Sequence, residues 1–176
     1  MTSSGYIGRR MYAAFALLAG FLVVTYLVTL TWGELDKSRP FRYGALFVLG
    51  PHLLYSLWQL ARRRDNAGQI PRLGNWLYVL GRWSALPVTL FFAYHWTGLS
   101  QGTVAHLREP VLEVPGSIVY AVGLVATTFY LGWASFSAWI DLGATGRALA
   151  AQLAFCQALL TMIAGTAAIW RLTHDR

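Results

Sequence analysis

Few side chains in this 176-residue sequence could do chemistry, and most of them stand in apolar surroundings. Arg82 lies inside an apolar stretch, followed by Trp83 and Ser84. A guanidinium near the edge of a lipid layer can donate charge-assisted hydrogen bonds to a ligand oxygen. Its structural alternative is a side chain that snorkels to the interface. His52, His95, Tyr12, Tyr55 and Tyr130 also fall in apolar runs. Two neutral imidazoles can clamp one haem iron. Counted from the same side of the layer, however, His52 is nine residues deep and His95 two. That separates them by on the order of 10 Å in depth, so the pair does not share an iron. At His52 a satisfied imidazole, bonded to a backbone carbonyl or a tyrosine, is expected. His95, beside Trp96, reads as a wet interfacial residue unless it is a ligand. His106 and His174 read as solvated.

Soluble-enzyme motifs are missing. There is no Gly-rich loop after a strand, no His-Glu-x-x-His and no Gly-x-Ser-x-Gly. No carboxylate stands within the apolar runs, which argues against a proton-coupled transporter of the Asp/Glu-relay kind. One cysteine, Cys156, allows neither an internal disulfide nor a Cys-ligated iron–sulfur or zinc site within the chain.

The elements that must position these residues follow from composition. The chain is 56% hydrophobic and 12% charged, against about 25% charged in a soluble domain. Met11–Trp32, Val114–Ile140 and Ala148–Trp170 contain no Asp, Glu, Lys or Arg over 22, 27 and 23 residues. About 20 such residues suffice for a helix to cross the hydrocarbon layer. A soluble globular domain, a disordered chain and a nucleic-acid-binding module are excluded. The expected fold is an all-α integral membrane bundle, one domain over 1–176. Its five spans are expected at about 11–32, 43–60, 76–97, 117–140 and 148–170, with short loops between them. The polar first ten residues end in Arg9-Arg10. The apolar run after them is too long for a signal peptide and has no small-residue cleavage site, so it reads as a retained first span.

Orientation follows from the basic residues. One side carries Arg9, Arg10, Arg62, Arg63, Arg64, Arg72, Arg82 and Arg147 with Asp65 and Asp141, for a sum of +6. The other sums to +1. The N-terminus is therefore expected in the cytoplasm. Trp32, Trp76, Trp96, Trp139 and Trp170 stand at span ends, where indole rings sit at headgroup level. Ala and Gly in the fifth span suit close helix packing.

The order of residues also resembles a family. Asn75-Trp76-Leu77-Tyr78, then Gly81-Arg82, then Phe92-Ala93-Tyr94-His95, resembles the third helix of the single-chain cytochrome b subunit of succinate dehydrogenases and fumarate reductases. Tyr120-x-x-Gly123-Leu124-x-Ala126-Thr127-x-Phe129, followed by Gly143 and Thr145, resembles its fourth helix and next loop. The resemblance implies a five-helix anchor in a bacterial or archaeal cytoplasmic (inner) membrane. It implies a flavoprotein subunit and an iron–sulfur subunit on the cytoplasmic face. The resulting complex II passes electrons to or from menaquinone or ubiquinone, linking the respiratory chain to the tricarboxylic acid cycle. The resemblance implies a subunit that is not catalytic alone but serves a succinate dehydrogenase/fumarate reductase complex.

Usual members hold two b haems through histidines on the first four helices, and here the sequence departs. The third-helix ligand matches His95. The second falls on Tyr55 after Pro51, the fourth on Tyr130, and the first near Tyr26 or Leu27; a further histidine position becomes Tyr12. Haem b is accordingly expected to be absent, with a one-haem form on His95 as the alternative. Without haem, quinone must approach the cytoplasmic iron–sulfur cluster directly. The expected quinone site is Arg82, Trp83, Ser84, Trp76, Arg10 and Tyr12, with Tyr55 and Tyr130 deeper. Arg62–Arg64 and Arg72 read as partner-docking or lipid-facing charges. The alternative function is a non-redox membrane protein, an assembly factor or transporter component, that kept the fold.

Overall fold

The computed structural model describes residues 3–32, 35–62, 79–100, 111–143 and 146–174, and among these there are helices and turns but no strand. Five helices follow in order: α1 (Ser3–Thr31), α2 (Leu35–Arg62), α3 (Ala85–Ser100), α4 (Val114–Leu142) and α5 (Arg147–His174). Three segments, Ile7–Thr31, Pro115–Leu142 and Arg147–His174, are long and apolar enough to cross a membrane. Trp76, Arg63, Arg64 and Arg72 lie outside the described residues.

The helices overrun the expected spans. α2 begins at Leu35 rather than Tyr43, so most of the segment expected as a loop around Glu34–Arg42 is helical. α1 likewise starts eight residues before Met11. Charged residues mark where a helix leaves hydrocarbon, not where its hydrogen bonding stops, so a reading from charge trims both ends. The third span shows the opposite effect. Residues 79–83 are helical, Ser84 is a turn, and α3 begins at Ala85. Pro87 explains the interruption: its ring crowds the carbonyl four residues back, at Trp83, and it has no N–H to return. The helical path survives through Ser84 N–H to the Leu80 carbonyl at 2.9 Å and Val88 N–H to Ser84 at 3.1 Å. At the far end of α4, Gly143 takes φ 68°, the left-handed cap that glycine adopts without strain.

Small residues take a large share of the interior. Ala13, Ala16, Ala19, Ala138, Ala150 and Ala168 are buried beside Leu49, Val88 and Leu131, while Phe21, Phe47, Leu54, Leu90, Phe155 and Ile163 point outward. Small residues let helix backbones approach where lipid outside is as apolar as the interior. Contacts fix the alternating directions. Tyr12 meets Ser56, Tyr26 meets His95, and His95 meets Tyr120. The start of α1, the end of α2, residues 79–83 and the end of α4 thus share one end of the bundle.

Three arginines cap helix C-termini belonging to neighbours. Arg10 Nη2 donates to the Leu142 carbonyl of α4 at 3.3 Å, Arg82 Nη2 to Gln59 of α2 at 2.7 Å, and Arg171 Nη1 to Thr31 of α1. The last carbonyls of a helix have no internal partner and carry the negative end of its dipole, so a cation there is stabilising.

Candidate functional site

At that shared end the helices enclose a cavity of about 350 Å³. Its walls follow from helical spacing. α1 contributes Arg9, Tyr12, Ala13 and Ala16; α2 contributes Tyr55, Ser56 and Gln59; α4 contributes Tyr130, Trp133, Ala134, Ser137, Ala138 and Asp141. Each set recurs at three- and four-residue steps, or at neighbouring positions, and so lies on one helix face. Gly81 and Arg82 close the remaining side.

Three hydroxyls meet in this wall. Ser56 Oγ stands 2.7 Å from Tyr12 Oη and 2.8 Å from Tyr130 Oη, joining α1, α2 and α4 through one atom. Arg82 reaches in from the helical residues 79–83. Its guanidinium carries five N–H donors in a planar fork, enough to hold the Gln59 carbonyl and a ligand oxygen at once. Alanines and the Trp133 ring supply the apolar part of the lining, and Arg9, Gln59, Ser137 and Asp141 add further polar groups. The arrangement suits a flat, apolar molecule with a few hydrogen-bond acceptors.

Gly81 is required by this geometry, because a Cβ there would overlap the Trp133 ring. Gly81→Ala is expected to push Trp133 into the cavity and to lower ligand affinity about tenfold, with a stability loss on the order of 1–3 kcal/mol from overpacking. Equilibrium binding and thermal unfolding of the purified variant check both.

Of the residues expected in the site, Arg82, Tyr12, Tyr55 and Tyr130 come together on the cavity. Three others do not line it. Trp83 points outward and is 51% exposed. Ser84 is buried, with its hydroxyl donating to the Gly81 carbonyl at 2.7 Å. Arg10 turns to cap α4, and its neighbour Arg9 lines the cavity instead. Residues one apart on a helix face directions about 100° apart, so the charge pair could not say which arginine faces inward. Ser56, Gln59, Trp133, Ser137 and Asp141 were not anticipated. The available signal was spacing: Trp133, Ser137 and Asp141 follow Tyr130 by three, seven and eleven residues.

His52 differs from expectation. It is 2% exposed, and neither ring nitrogen meets a hydrogen-bond partner among the described residues. Tyr12 stacks on it at 4.3 Å and 18°, while Tyr130 meets it edge-on at 5.7 Å. Both tyrosines send their hydroxyls one turn further along α2, to Ser56, so His52 receives their rings and not their oxygens.

His95 is not a wet interfacial residue either. It is buried, with Nε2 at 2.8 Å from Tyr26 Oη and Nδ1 at 3.0 Å from Tyr120 Oη. A neutral imidazole donates with one nitrogen and accepts with the other, so both are engaged. Phe91 stacks beside the ring at 5.8 Å, and the adjoining cavity measures only about 50 Å³. That is room for a water or two, not for a macrocycle. With both His95 nitrogens engaged and a tyrosine lying on the His52 ring, the residues present do not fit a haem. Among the described residues no group of three His, Cys, Asp or Glu is placed to hold a metal ion.

No known protein family, curated protein or solved structure matches this chain. The likeness to the cytochrome b subunit rests on the residues quoted above alone.

Proposed function

We propose that this chain is the membrane anchor and quinone-binding subunit of a succinate:quinone oxidoreductase, working without haem. The observation that carries the reading is the cavity at one end of the bundle. There a hydroxyl triad and an arginine share one slot with four alanines and the Trp133 ring. Quinones need that combination, an apolar surface for the ring and donors for two carbonyl oxygens. In this reading the Ser56–Tyr12–Tyr130 cluster donates to one carbonyl and Arg82 to the other. Two electrons from the iron–sulfur partner and two protons from the aqueous side turn the ring into the quinol. The engaged nitrogens of His95 support a haem-free route, in which the ring sits at the end of the bundle that faces the partner subunits.

The reading also requires five spans with a cytoplasmic N-terminus, in a bacterial or archaeal inner membrane. Residues 79–100 form a path of about 33 Å at 1.5 Å per residue, enough for a hydrocarbon core of about 30 Å. Cysteines introduced at Asn66 and Gly102 are expected to react with an impermeant reagent from opposite faces, Asn66→Cys only after the membrane is opened. Labelling of Asn66→Cys in intact cells contradicts this topology. The site itself is tested by a quinone bearing a photoreactive group on its ring, in native membranes. Labelled peptides should contain Tyr12 or Tyr130, and excess unmodified quinone should suppress them. Labelling confined to the opposite end of the bundle, near Tyr26 and Tyr120, contradicts the assignment.

A further inference from the structure

A second, larger recess of about 710 Å³ lies between α4 and α5. The helices touch at its base through Gly132, Ala154 and Ala158, where a Cβ on Gly132 would come within 3.2 Å of Ala158. Phe129, Phe136 and Phe155 stand around these small residues. Small residues at the contact with aromatic ones beside it leave a trough rather than a flat seam. From Thr128 to Asp141 it follows α4 for about 20 Å.

The trough and the quinone cavity have a common wall. Trp133, Ser137 and Asp141 line both. They are spaced by four residues and form one ridge along α4. Ser137 is the small member between a tryptophan and an aspartate, so the ridge is lowest there. The cavity lies on one side of that saddle and the mainly apolar trough on the other.

We propose that the trough holds the isoprenoid tail of the quinone whose ring occupies the cavity, the tail crossing the ridge at Ser137. This rests on the quinone reading and adds the form of the substrate. A cavity of about 350 Å³ accepts a quinone ring and little of a long tail. The rest of the tail must leave by an apolar route, and the trough supplies one that shares three residues with the ring site. A tail seated there also orients the ring before reduction.

The test compares two quinones with the same ring, one tailless and one carrying several isoprene units, as substrates of the whole complex in native membranes. Ala151 lines the trough but not the cavity and is exposed, so Ala151→Leu fills space without entering a helix contact. It should lower kcat/KM for the tailed quinone, relative to the tailless one, on the order of tenfold, mainly through KM. Ser137→Leu, raising the saddle, should do the same. Leu160→Ala, exposed on α5 away from the trough, should keep the wild-type ratio. An unchanged ratio in Ala151→Leu overturns the trough while leaving the ring site standing. So does labelling of Phe155 by a phospholipid with a photoreactive acyl chain that excess tailed quinone fails to reduce. A wild-type complex that reduces neither quinone overturns the ring site and the trough together.

Discussion

Arg82→Leu is expected to reduce quinone turnover by the complex roughly ten- to hundredfold while leaving succinate oxidation with an artificial acceptor intact. The magnitude follows from losing one charge-assisted hydrogen bond to a ligand oxygen, about 1.5–3 kcal/mol. In the proposed complex succinate oxidation belongs to the flavoprotein partner, so a dye that takes electrons ahead of quinone bypasses this chain. Leucine is compatible with the span, but the substitution also uncaps α2 by removing the donor to Gln59 at 2.7 Å. Arg82→Lys separates the two roles. An ammonium keeps the charge and can still reach one carbonyl, but it lacks the planar fork that serves two acceptors in fixed directions. Lysine should therefore restore assembly better than it restores turnover. An Arg82→Leu complex that assembles and reduces quinone at the wild-type rate would leave the arginine as a helix cap and move the site elsewhere.

His95→Leu is expected to produce the largest loss of stability, about 2–6 kcal/mol. The imidazole holds Tyr26 and Tyr120 from opposite sides, and both tyrosines are buried. Its removal strands two hydroxyls in an apolar interior, at about 1–3 kcal/mol each. Unfolding by denaturing detergent, titrated into mild micelles, measures the difference. The triple variant Tyr26→Phe, Tyr120→Phe, His95→Leu should recover much of the loss, because a fully apolar trio leaves nothing unsatisfied. A His95→Leu protein as stable as wild type contradicts the buried triad, and with it the case that His95 is fully engaged by tyrosines.

The bundle was legible because lipid imposes a composition as well as a shape. Stretches such as Val114–Ile140 lack charge throughout, and the helix found there starts at the same Val114 and ends only two residues later, at Leu142. α2 was read less well. Its first turns carry Asp36, Lys37 and Arg39, and a boundary drawn from charge stops at Tyr43 although the helix begins at Leu35. In the site, Arg82, Tyr12, Tyr55 and Tyr130 stood out as polar groups in apolar runs. Ser56 and Ser137 did not, because serine is ordinary in membrane helices and theirs is a role of position. One joins three helices at a single oxygen, and the other is the low point of a ridge. The state of His52 was hidden for a related reason. Whether a neighbouring tyrosine offers its ring or its hydroxyl is decided by a third residue on another turn, here Ser56.

The most direct measurement is succinate-driven quinone reduction by whatever co-purifies with this chain, tagged and extracted from its native membrane in mild detergent. The expected result is a complex containing a flavoprotein and an iron–sulfur protein that reduces quinone with succinate, loses that activity in Arg82→Leu, and shows no α-band of b-type haem from this subunit on dithionite reduction. A chain that purifies without redox partners, or whose complex reduces quinone only through a stoichiometric haem on this subunit, contradicts it.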